Sequence, residues 1–138
     1  MAASIDDILT AIKNNVVAIG NAATNLLSLY KALPTTPLVS GPATTSVSTV
    51  YTAQAFSTSH INTINICNTS SSAATVSVYL VPYGGTASSA NAVFYNVPVP
   101  ANTTVLWESV LILPANGTIQ VSASTTAVTI MIAGGTSA

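Results

Sequence analysis

The sequence predicts a mainly β protein: an antiparallel β-sandwich, immunoglobulin-like or jelly-roll, behind one N-terminal α-helix that forms a trimeric coiled coil. Three observations carry this. Apolar residues recur with a helical period over residues 5–33, and the period switches to two from about Thr44. The later segments are short and separated by turns rich in Ser, Asn, Gly and Pro. Charge changes at the same place: Asp6, Asp7, Lys13 and Lys31 precede residue 32, and only Glu108 follows it. These boundaries divide the chain into residues 1–33, a Pro-rich linker at 34–43 and a β domain at 44–138.

The helix comes first. Ser4 suits the N-cap, and Asp7, three residues on, can meet the free amides of the first turn. Lys31 suits the last turn, and Pro34 enforces a stop. Heptads with a at Leu9, Val16, Ala23 and Tyr30 place d at Ile5, Ile12, Ile19, Leu26 and Leu33. Every a and d position is apolar, and Ile8, Ala22, Leu27 and Leu29 widen the stripe. Such a stripe must be buried. The chain's own β domain could cover it. The alternative, a coiled coil between copies, makes the nine a and d residues an oligomer interface. Ile at d with Leu or Val at a shifts preference from dimers toward trimers or tetramers. Gly20 weakens the lone helix by about 1 kcal/mol relative to Ala, which argues for support from neighbours.

Strands are expected at 46–53, 60–68, 75–81, 92–97, 103–113, 118–123 and 127–133. Alternation assigns their faces. Val76, Val78 and Leu80 oppose Ser77 and Tyr79. Ile119 and Val121 oppose Gln120 and Ser122. Val128, Ile130 and Ile132 oppose Thr129 and Met131. The outward face is then Ser, Thr, Asn and Gln with few ions. Sheet edges without Lys or Glu invite pairing, and burial in an oligomer is one remedy.

Composition removes several function classes. Apolar residues make up 49% of the 138 residues, which suggests a membrane protein, yet each apolar cluster is broken within a few residues. With Lys and Arg totalling 2, the chain cannot neutralise a phosphate backbone, so nucleic acid is not an expected partner. A net charge of -1 gives no steering. The abundance of Val, Ile and Thr argues against disorder. The acidic start lacks the basic n-region of a secretory signal.

Catalysis needs titratable groups held together. The β domain offers His60, Cys67, Glu108 and tyrosines. On one regular strand His60 and Cys67, seven residues apart, face opposite ways. Cys67 reads as a small buried apolar residue, and His60 as the surface start of a strand. Glu108 has no carboxylate partner for paired-acid chemistry. No catalytic residue, cofactor site or metal set is expected. Tyr51, Tyr79, Tyr83, Tyr95 and Trp107 could stack on sugars, although packing the sandwich accounts for most of them. The sequons at Asn68, Asn102 and Asn116 mark turns.

Residues 64–80 (INICNTSSSAATVSVYL), 91–104 (NAVFYNVPVPANTT) and 114–124 (PANGTIQVSAS) carry a resemblance. This succession is similar to one recurring in small virion proteins of tailed bacteriophages, and it spans most of residues 61–133. The resembling proteins are head fibres, capsid decoration proteins and tail fibre or tip proteins, commonly trimers with an N-terminal helix. The resemblance implies a non-enzymatic structural protein located on the virion. Its expected partners are copies of itself and other capsid or tail components. A tail fibre or tip subunit, or a carbohydrate-binding module that meets a host surface glycan, is the alternative. The shared motifs are turn and strand chemistry, so no functional residue transfers.

Overall fold

A computed structural model of the chain describes residues 4–31 and 37–137, the side chains of 26–31 excepted. The chain divides into two compact units, Met1–Leu33 and Pro34–Ala138.

The first unit holds one helix, α1 (Ile5–Lys31). Its start is a reciprocal capping box. The Asp7 amide donates to Ser4 Oγ at 3.1 Å, and the Ser4 amide donates to Asp7 Oδ2 at 3.3 Å. Asp6 and Asp7 both lie in the first turn, where negative charge suits the helix dipole.

The second unit holds eight strands among the described residues: β1 (Val39–Pro42), β2 (Ser48–Thr52), β3 (Thr58–Asn68), β4 (Ala74–Val81), β5 (Ala92–Val99), β6 (Thr103–Leu113), β7 (Thr118–Ala123) and β8 (Val128–Ser137). They form two four-stranded sheets, ordered β1-β8-β3-β6 and β2-β7-β4-β5. All strand pairs are antiparallel. Every connection except β4–β5 crosses between the sheets. The core contains Ile61, Ile64, Ile66, Ile130 and Ile132 from one sheet and Val76, Val78, Ile119 and Val121 from the other. The assigned inward faces of β4, β7 and β8 are the ones found.

Four expectations need correction. β1 lies inside the segment read as linker, where Val39 to Pro42 pair with Ile132 to Thr129. Pro42 fits because β1 is an edge strand, so its missing amide breaks no central ladder. β8 runs on past the expected end at residue 133, through Gly134 and Gly135, which pair with Ile61 and His60. The outer face of β4 is not solvent-facing, since Ser77 and Tyr79 are buried. His60 is not the first residue of its strand, which begins at Thr58.

A polar residue, Asn68, is fully buried at the end of β3. Asn68 Nδ2 donates to the carbonyls of Ser72 at 2.8 Å, Val99 at 3.1 Å and Pro100 at 3.2 Å. Its Oδ1 accepts from the Ser70 amide and hydroxyl. One side chain thus ties the β3–β4 turn to the β5–β6 turn. Asn68→Leu leaves these groups without their partner, and each unsatisfied buried group costs about 1–3 kcal/mol. We expect a loss of about 3 kcal/mol or more, read as a lower urea midpoint with unchanged slope. Asn102 and Asn116, of the other two sequons, have φ of 51° and 60°. Asn tolerates that left-handed region, so both serve as turn residues.

Candidate functional site

The expected interface positions Ile5, Leu9, Ile12, Val16, Ile19 and Ala23 share one side of α1, and all six are exposed. Ile5 is 76% exposed and Ile19 69%. Leu26 and Tyr30 continue the row within the helical backbone. Leu33 lies outside the described residues.

In the β domain the titratable side chains are spread apart. β3 bulges between Ile61 and Thr63. The extra residue shifts the alternation, so His60 and Cys67 share the outer face, contrary to the regular-strand expectation. Seven residues of strand still separate them by about 20 Å. His60 Nε2 instead meets Ser137 Oγ at 3.1 Å. Cys67, expected to be buried, is half-buried and free. It lines a shallow hollow of about 350 Å³ with Asn65, Thr104, Thr129 and Met131. Glu108 is exposed on β6. Among the described residues, no three of His, Cys, Asp and Glu come together as a metal site.

The aromatic residues divide. Trp107 packs against the core, its ring edge-on to Phe94 at 6.1 Å and 83°. The Tyr51 hydroxyl meets Ser59 Oγ at 2.9 Å. Tyr83 and Tyr95 are exposed. Among the described side chains, the most open aromatic is one that sequence reasoning passed over. Phe56 is 94% exposed. It occupies the third position of the Gln54–Ser57 turn with φ of 62°, a region a bulky residue rarely adopts. Register places its loop at the same end of the domain as the Tyr83 loop, because β2 and β4 both end opposite Thr118.

No known protein family, curated protein or solved structure matches the chain. Among the described residues, no helix is long and apolar enough to cross a membrane.

The outer face of the β1-β8-β3-β6 sheet adds a second apolar surface. On β6, Leu106, Val110 and Ile112 point away from the core and are exposed, as is Met131 on β8. The signal was present in the sequence. β6 is apolar at both sets of alternating positions, whereas a strand with one face in water alternates.

Proposed function

We propose that the chain is a non-enzymatic structural protein of a tailed-phage virion, a homotrimer serving as a head fibre or capsid decoration protein. The observation that carries this reading is the capped helix with its a and d residues from Ile5 to Ala23 in water. Exposed apolar surface of that extent, organised in heptads, is made for copies of itself. The β domain supports the same reading. Its strand order, with one within-sheet hairpin and all other connections crossing, is that of a jelly roll, an architecture frequent in viral capsid domains. That support is an analogy of fold. Quantitative mass spectrometry of purified virions tests the placement. Hundreds of copies per particle fit decoration, a dozen or fewer fit the tail, and none overturns the reading.

Phe56 favours a second reading, a tail fibre, tail tip or other adhesion module that meets a host surface glycan. A bulky residue at positive φ is strained by about 1–3 kcal/mol, and strain of this kind gathers at functional sites. At 94% exposure, burial offsets little of it. Phe56→Gly is expected to raise the melting temperature by several degrees, since about 1 kcal/mol shifts a domain of this size by about 4–8 °C. In the adhesion reading the same change abolishes binding to host cells. Equal cell binding by both proteins removes that reading.

A further inference from the structure

We infer that the outer face and free edge of β6 form a second subunit interface, occupied by the β domain of another copy of this chain. The inference rests on the trimer reading and adds to it a surface in the β domain itself.

The domain has four edge strands among the described residues, and three of them are short or carry Pro. β1 is short and carries Pro42. β2 has five residues and a register shift between Thr49 and Tyr51. β5 carries Pro98 and two register shifts. These are devices that stop strands from pairing with foreign chains. β6 is 11 residues long, has no Pro, and carries the outward row of Leu106, Val110 and Ile112. Its guards are Glu108 and one register shift, where three residue steps of β6, from Glu108 to Leu111, face two of β3. A long apolar edge of this kind calls for a cover.

Size identifies the cover. Leu106, Val110, Ile112 and Met131 leave roughly 400 Å² of side-chain surface in water, in the range where patches become functional. That is about half of what a freestanding interface takes from each partner. It suffices for copies already gathered by their helices, because a short connection raises the effective concentration to the millimolar range. The same face also offers a receptor. The hollow beside Cys67 and Met131 is lined from all four strands of this sheet and reaches Thr104 at the start of β6, away from Val110 and Ile112 near its end. A ridge on β6 and a hollow beside it let each copy insert into the next, and such head-to-tail contacts close into a ring under threefold symmetry. No Lys or Arg follows Lys31, so the β domain of a second copy brings no Lys or Arg to pair Glu108. Glu108 therefore belongs to the wet rim, and it opposes open-ended growth.

Hydroxyl-radical footprinting and Cys67 alkylation of the full chain test this, with the oligomer weighed by sedimentation. The unaltered protein is compared with the double variant Ile12→Asp, Ile19→Asp. We expect Leu106, Ile112 and Met131 to be modified severalfold more slowly in the trimer than in the monomeric variant, and Cys67 likewise. Phe56 and Tyr83 should react equally in both. Val110→Asp, at a position 69% exposed, should keep the trimer and return β6 to the rapid rates. A trimer whose β6, Met131 and Cys67 react as fast as in the monomer overturns this interface and leaves the coiled coil standing. An unaltered protein that is already monomeric overturns both.

Discussion

We expect a chain carrying Ile12→Asp and Ile19→Asp to sediment as a monomer at micromolar concentration, and the unaltered chain to sediment as a trimer. The two isoleucines are successive d residues near the middle of α1 (Ile5–Lys31). Each is more than half exposed in the single chain. Burying such a side chain contributes about 1.5–3 kcal/mol. Three copies would hold six of them, so a trimer core would gain on the order of 10 kcal/mol from these positions alone. The aspartates remove that gain and place like charges together at the centre of the bundle. The monomer should keep the β-sheet circular dichroism of the parent. The core of the β domain is built from residues of 38–132, and none of its members lies on α1. A variant that stays trimeric would show that the heptad stripe is not what gathers the chains.

The sequence and the structure agree most closely where local chemistry decides the outcome. The bounds of β6 and β7 match the expected segments 103–113 and 118–123. Both are flanked by Pro and Asn that end a strand by backbone geometry alone. The Ser4–Asp7 box is equally local, because its donors and acceptors sit three residues apart. Disagreement appears wherever a partner distant in sequence decides. Val39-Ser40-Gly41-Pro42 has little alternation, and only its pairing with β8 makes it a strand. Tyr79 should face water by alternation, yet it is buried outside the core cluster. The bulge in β3 is invisible in Ile61-Asn62-Thr63, although it sets which face His60 occupies.

The candidate surfaces follow the same division. The helix stripe is readable because its period is written in consecutive residues. The β6 face is half readable, as a strand apolar on both sides. Phe56 is not readable, since its significance lies in a positive φ and near-complete exposure that no composition reports.

Gly134→Ala should unfold the β domain or lower its stability by at least about 3 kcal/mol, the upper range for overpacking a tight interior. Gly134 lies on β8 opposite Ile61, beside the β3 bulge. A methyl group there would overlap the carbonyl oxygen of His60. It would also stand 2.9 Å from the His60 carbonyl carbon and 3.0 Å from Ile61 Cα. All three are backbone atoms of a central strand, held on one side by β8 and on the other by β6. No side-chain rotation relieves the overlap, so the β3–β8 ladder must separate locally, and it carries Ile61, Ile64 and Ile132 of the core. Gly41→Ala is the matched control. It also lies on a strand of this sheet, with nothing within 4 Å of the added carbon, and it should change the urea midpoint little. Equal midpoints for the two variants would mean that β3 and β8 do not approach as closely as the pairing of Ile61 with Gly134 requires. β8 thus continues past the expected end at residue 133 because Gly134 has no side chain to push β3 away.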